Sequence, residues 1–266
     1  MGVSMLNKRF LQSVVLVAGL ASVHANASLI TNGSFENGAN GTSLTFGGQQ
    51  PSLSFGDLAG LPEGFSWGVF SGLPGWSTVA GYGPGIEVHH KGTLASTGGV
   101  NNNAVDGNHY VEMDTHFNYS TPGNSNAGMF QLVTGLFVGQ TYELSFWYRA
   151  RDTVANNNGL NVYWKANGST IDKTNADYFY DYSAADNNHL NWVNYKQIVV
   201  ATSTEMLVGF GGAGEALYGG DKLKTGGGSG KGALLDMVSL KQVSAPGTIA
   251  LFGLAGLALF ARRRKA

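Results

Sequence analysis

Apolar and polar residues alternate with a period of two through much of the middle of this chain. The clearest case is Gln140–Arg151, where Tyr142, Leu144, Phe146 and Tyr148 interleave with Glu143, Ser145, Trp147 and Arg149. Successive side chains of an extended strand point to opposite faces, so the first set is predicted to face a core and the second an exposed sheet face. Shorter runs of the same kind lie at Leu29–Phe35, Gly85–His90, His109–Asp114, Met129–Thr134, Leu160–Lys165, Trp192–Ala201, Glu205–Phe210 and Ala233–Val243. No long stretch between them has helical periodicity. Roughly nine strands separated by turn-forming residues predict an all-β chain, an antiparallel two-sheet sandwich of jelly-roll type. Gly38–Gly64 and Gly211–Gly232 read as Gly-rich loops.

The two ends follow a different pattern. Lys8-Arg9, the apolar run Phe10–Leu20 and the small-residue site Ala25-Asn26-Ala27 together read as a secretory signal peptide over residues 1–27. At the other end Ala245-Pro246-Gly247-Thr248 leads into an apolar run that closes on Arg262-Arg263-Arg264-Lys265. As a helix, Thr248–Ala261 would rise only about 21 Å, short of the ~30 Å of a bilayer core. A basic cluster holds such an end on the cytoplasmic side. The segment is therefore expected to sit in the membrane transiently. Residues 244–266 resemble the PEP-CTERM sorting signal, with Ser244-Ala245-Pro246 standing where that family has Pro-Glu-Pro. The resemblance implies an exosortase as partner, and export to the surface or exterior of a Gram-negative bacterium. A single domain over residues 28–243 is then the expected body.

Charge changes the picture of that body. Of sixteen Lys and Arg residues, the two terminal segments hold six (Lys8, Arg9, Arg262, Arg263, Arg264, Lys265) and no acids. The body is left with ten bases against seventeen acids, a formal charge of −7. Such a surface repels phosphate, so nucleic acid is excluded as a partner. There is no cysteine, hence no disulfide and no thiol chemistry. Gly209-Phe210-Gly211-Gly212-Ala213-Gly214 matches a dinucleotide fingerprint by letter, but no helix is predicted after it, so a nucleotide site is rejected.

The body itself resembles carbohydrate-binding-module jelly rolls with a galactose-binding-domain-like fold. The resemblance rests on an ordered series: Leu29-Ile30-Thr31-Asn32-Gly33-Ser34-Phe35-Glu36, Gly75-Trp76, Ile86-Glu87-Val88, Asp106–Asp114, Phe130-Gln131-Leu132-Val133, the run Gly139–Arg151, and Leu235-Asp236-Met237-Val238-Ser239-Leu240. It implies a structural Ca²⁺ held by Glu36 and Asp236, with oxygens from Asn32, Gly33 or Asp57 as possible additions. A polysaccharide or exopolysaccharide is the expected ligand.

The residues supply their own candidates for that ligand. Trp147 and Arg149 alternate onto the polar face of their strand. Tyr163 and Lys165 do so if Leu160, Val162 and Trp164 point inward. Tyr178, Tyr180 and Tyr182 fall in a loop-like segment with Asp177, Asp181 and Asp186. Aromatic planes stack on sugar rings and the polar groups bond hydroxyls, although aromatics in a sandwich are also its ordinary packing material. Two further readings stand beside a non-enzymatic glycan binder. Glu87 and Glu112, with Asp114 on the same face, could form the carboxylate pair of a glycoside hydrolase. A sandwich that binds other matrix proteins needs neither set. His109 and His116 flank the acidic strand, but no metal-ligand motif includes them.

Overall fold

The computed structural model describes residues 27–38, 40–44, 52–62, 65–92, 103–115, 125–151, 158–181, 190–213 and 232–243. The predicted signal peptide up to Asn26, the whole C-terminal sorting signal, and His116, Tyr182, Asp186 and His189 lie outside them. Among the described residues no helix is long and apolar enough to cross a membrane.

The strands follow chain order as β1 (Trp67–Phe70), β2 (Gly72–Leu73), β3 (Trp76–Thr78), β4 (Ile86–His90), β5 (His109–Glu112), β6 (Gly128–Thr134), β7 (Thr141–Arg149), β8 (Leu160–Ala166), β9 (Tyr178–Tyr180), β10 (Val193–Val200), β11 (Glu205–Gly212) and β12 (Leu234–Gln242), with a short 3₁₀ turn at Phe55–Gly60. They form two six-stranded sheets, β1-β4-β5-β12-β7-β10 and β2-β3-β6-β11-β8-β9. All pairings are antiparallel. The expected sandwich is therefore the observed one.

The period-two pattern sets the core. Tyr142, Leu144, Phe146 and Tyr148 of β7 face inward, and meet Met206, Val208 and Phe210 of β11 and Leu160 and Val162 of β8 in one apolar layer. Phe146 is its aromatic hub, with ring centroids 5.3 Å from Phe210, 5.4 Å from Tyr180 and 6.0 Å from Tyr195. The first two pairs are edge-to-face and the third is stacked; aromatic pairs of these kinds add ~0.5–1.5 kcal/mol each beyond the area they bury.

Leu29–Phe35 is not a strand. Asn32 and Phe35 take positive φ values of 52° and 59°, which breaks the alternation that an extended segment requires. The segment is a bracket that clips onto the last strand. Gly33 O accepts Val238 N–H at 2.8 Å, and Leu29 N–H reaches Leu240 O at 2.8 Å. Val238 sits in a bulge of β12, where the register against β7 shifts between Asp236 and Ser239 and Met237 has φ 51°. The backbones come so close there that a Cβ on Gly33 would collide with the Val238 carbonyl. Only glycine fits. Asn32 closes the loop with its amide on Asn37 and Pro74, and its carbonyl accepts Trp76 Nε1–H at 3.0 Å. Phe35 is fully buried against Trp76 at 5.8 Å. Each letter of the Asn-Gly-x-Phe-Glu run thus has a packing task.

Candidate functional site

The outward positions of the β1-β4-β5-β12-β7-β10 sheet form ordered rows. One row runs Val69, Glu87, Glu112, Leu234, Arg149 across β1, β4, β5, β12 and β7. The next begins Trp67, His89, Tyr110. Further along, Asp236, Trp147 and Asn194 lie side by side on β12, β7 and β10.

The β4–β5 half of this face is charged and closed. Glu87, His89 and Glu112 are at most 1% exposed. His89 Nε2 stands 2.8 Å from both Glu87 Oε1 and Glu112 Oε2. Arg151 reaches Glu112 Oε2 as well, and Gly232 N–H donates to Glu112 Oε1 at 2.7 Å. The His89 ring lies between two others, near-parallel to Tyr110 at 5.4 Å and to Trp67 at 6.3 Å. Burial pulls Glu112 upward, but the Arg151 guanidinium and the His89 imidazole outweigh it and hold the carboxyl at about 2. Burial, reinforced by the Glu112 charge against the His89 hydrogen bond, pushes Glu87 up to about 8. His89 is raised: burial opposes its proton, and the two carboxylates overcome that. Burial likewise opposes the Arg151 charge, but Glu112 wins and keeps the guanidinium firmly protonated. Glu112 and Arg151 are thus the ionised pair, with the Glu87 carboxyl holding its proton beside them.

The trio Glu87, His89 and Glu112 has the donor types of a metal site, with ligand atoms within 4.8 Å of one another. Two observations argue for a proton-neutralised cluster. A guanidinium already occupies the carboxylate oxygen that an ion would need. A ligating imidazole ordinarily donates its second N–H to an acceptor, and His89 Nδ1 is buried without a hydrogen-bond partner. The same burial bears on the hydrolase reading. Glu87 and Glu112 are direct register partners, as the strand pattern suggests, but both are 0% exposed and no glycosidic oxygen can reach them.

Glu36 and Asp236 converge on one loop, as the chain-end reading expects. Glu36 Oε1 accepts the N–H groups of Asn108 at 2.7 Å and His109 at 2.6 Å, and Oε2 meets His109 Nδ1 at 3.0 Å. Asp236 Oδ2 accepts Val105 and Asp106 N–H at 2.7 and 3.2 Å, and Oδ1 accepts Met237 N–H at 2.6 Å. A calcium ion at these oxygens would need a different arrangement of the loop. Five backbone N–H groups and an imidazole point at the four oxygens, whereas calcium needs surrounding oxygen lone pairs. As arranged, the carboxylates tie the chain ends by themselves. Burial pushes Asp236 up to about 7 against those three N–H bonds.

The proposed ligand-binding residues do not share a groove. Trp147 keeps its expected place, half-buried on the outer face of the first sheet. Arg149 is on that face but only 1% exposed. Its register partner is Leu234, and Leu234, Tyr110, Ala104 and Trp192 pack together around that spot. Trp192 donates Nε1–H to Asn103 O, which draws the 103–109 loop over the sheet. Tyr163 points outward from the other sheet, as predicted, yet is fully buried among Val79, Ile171 and Leu207. Tyr178 and Tyr180 sit on an edge strand, not in a loop, and turn inward against the main core. Phe179 between them is the exposed residue. Alternation predicts the face of a side chain but not whether a second layer covers that face.

No protein-family model matches this chain, and no curated protein matches it. Among solved structures it is similar to an arabinose-bound GH51 α-L-arabinofuranosidase, at 14% identity over 83% of this chain and 27% of that one, with a TM-score of 0.43. It is also similar to a CBM4 module, at 16% identity over 80% of this chain and 99% of the other, TM-score 0.36. A third is the K1 cleaved adhesin domain of Lys-gingipain from Porphyromonas gingivalis, at 17% identity over 67% and 98%, TM-score 0.41. The chain's own sheet topology defines it as a two-sheet antiparallel β-sandwich.

Proposed function

We propose that this chain is a non-catalytic polysaccharide-binding sandwich, exported from a Gram-negative bacterium and processed at its C-terminus by an exosortase. One observation carries the binding reading. Trp147 is a large apolar ring left half-open on the outer face of a sheet, with the half-buried amide residue Asn194 beside it on β10, while its β12 neighbour Asp236 is buried under the 103–109 loop. Ser145, Glu143 and Lys196 extend the polar surface beyond it. An apolar plane rimmed by short polar groups matches a sugar ring, which is apolar on its C–H face and hydroxylated at its edge. The test is retardation of wild type and Trp147→Ala in gels cast with laminarin, xylan or galactan. Loss of retardation supports the reading. Equal retardation removes Trp147 from it, and pull-down of matrix proteins instead would replace it with the protein-binding alternative.

Export and processing rest on the terminal segments. Intact-mass spectrometry of the secreted protein is expected to show a chain that begins near Ser28 and ends near Pro246. A mass that still includes Ile249–Ala266 would replace processing with a tail anchor.

The chain-end latch has its own test. Asp236→Ala leaves three N–H groups without their acceptor, each at about 1–3 kcal/mol if buried, so the melting temperature should fall. The melting curve of the wild type should coincide in excess calcium and in chelator. A rise of several degrees with calcium would instead establish the ion at Glu36 and Asp236, with the loop turned to present carbonyls.

A further inference from the structure

A cleft of about 300 Å³ opens on the other side of the sandwich, lined by Ala80, Gly81, Tyr82, Asp172, Lys173 and Thr174. That volume is at the lower end of the range for small-molecule sites, ~300–1,000 Å³. Its floor is built, not incidental. Gly128 of β6 and Gly211 of β11 are register partners on the outer face of the second sheet. A Cβ on Gly128 would strike Tyr82 at Cγ and Cδ2, and one on Gly211 would strike its hydroxyl, Cζ and Cε1. These atoms include opposite edges of the ring, so Tyr82 lies face-down across the glycine pair. Any larger residue at either position would lift it.

The ring is also anchored at its tip. The Tyr82 hydroxyl bonds the Tyr163 hydroxyl at 2.6 Å, with Asn161 Nδ2 at 3.5 Å. Val79, Ile171, Leu207 and Phe130 pack beneath as a small apolar cluster. The Lys173 ammonium stands over the ring, 5.4 Å from the centroid. The opposite wall is held in shape by Asp172. Its Oδ1 accepts both the N–H and the hydroxyl of Thr174, at 2.8 and 2.7 Å, and Asn175 Oδ1 accepts Asp172 N–H at 3.1 Å. A flat, immobilised aromatic face thus stands beside a carboxylate, an ammonium and a hydroxyl, all exposed.

We infer that this cleft is a second saccharide site, taking one pyranose ring of a neutral glycan with its C–H face on Tyr82 and its hydroxyls on Asp172, Lys173 and Thr174. The inference rests on the polysaccharide-binding reading for its ligand class, but on none of the same residues. Asp172 beside Lys173 cancels the local charge, which selects a neutral sugar over a uronate. Trp147 and Tyr82 project from opposite sheets of the sandwich, so one module holds two glycan chains and cross-links them. Displacing Lys173 from the ring face is a modest cost, since exposed cation–π contacts are weak.

The test uses laminarin, xylan and galactan as neutral probes and polygalacturonate as the charged one. Retardation in polysaccharide gels reports binding, and viscosity of the mixed solution reports cross-linking. Wild type should retard and thicken a neutral polymer. Tyr82→Ala and Trp147→Ala should each weaken retardation about tenfold, near ~1.4 kcal/mol, and each should abolish thickening. The double variant should migrate freely. Because Tyr82→Ala also uncovers two glycines, Lys173→Ala combined with Thr174→Val is the second probe. It keeps the platform and should still weaken binding. Thickening by Tyr82→Ala equal to wild type, or tighter binding of polygalacturonate than of any neutral polymer, overturns the inference. Loss of all binding in Trp147→Ala alone overturns it while leaving the Trp147 face intact. Binding unaffected by Trp147→Ala but lost in Tyr82→Ala does the reverse.

Discussion

Replacing Arg151 with methionine is expected to cost about 3–5 kcal/mol of folding stability, the usual penalty for stranding a buried charge. Glu112 is 0% exposed, and its carboxylate is balanced chiefly by that guanidinium. Without it, Glu112 must remain ionised next to a second carboxyl group or take up a proton at neutral pH. Both routes disfavour the folded state. The double variant Arg151→Met with Glu112→Leu should recover most of the loss, because an apolar pair of similar volume is often no worse than a buried ion pair. Urea titrations of the two variants decide it. A single-variant loss below ~1 kcal/mol would show that the pair is an ordinary surface ion pair.

The same cluster predicts a particular pH profile. Glu112 stands at about 2 in the folded chain, against about 4.3 unfolded. Its contribution is complete above roughly pH 4 and is lost as pH falls through about 2. Glu87, at about 8, has the opposite sign. Its contribution is complete below roughly pH 4 and is lost as pH rises through the folded value. Glu87→Gln, which keeps an acceptor for His89 Nε2–H, should therefore flatten the alkaline limb of stability. Glu112→Gln should flatten the acid limb. Profiles that stay parallel to wild type on both limbs would remove these groups as the source.

Trp147→Ala is expected to weaken polysaccharide binding by about tenfold, or ~1.4 kcal/mol. The fold should survive. Trp147 is half-buried on an outer face and belongs to none of the buried apolar clusters, unlike Phe146 beside it. Phe146→Ala is the control, because truncating a fully buried phenylalanine costs ~3–5 kcal/mol. If Trp147→Ala unfolds as readily as Phe146→Ala, the ring is packing and the sugar face lies elsewhere. If it folds and binds as wild type, the same conclusion follows without the stability cost.

Most of the strands were legible because β7, β8, β11 and β12 carry their alternation in consecutive letters. The short elements were not. β1, β2 and β3 span four, two and three residues, too few for a period to declare itself. β9 hid among tyrosines that look equally like a polar loop. Leu29–Phe35 misled in the other direction, since apolar and polar letters alternate there while positive φ at Asn32 and Phe35 breaks the pleat.

The candidate sites divide along the same line. Glu36, Asp236, Glu87 and Glu112 could be singled out as acids in or beside strands, and the pairing of Glu87 with Glu112 could be anticipated from two neighbouring acidic strands. Arg151 and His89 as their partners could not, because strand order brings β4, β5 and the end of β7 together across long stretches of chain. Nothing in the letters marks Tyr82 as a platform, since its support is two glycines about eighty residues apart that meet only when β6 pairs with β11. Local alternation, by itself, determined which way each side chain of a strand leaves the sheet. Only the tertiary structure decided which outward residues are then covered, as Arg149 and Tyr163 are, and which remain open, as Trp147 does. Direction is a property of the backbone at one residue; burial depends on what distant segments are placed on top.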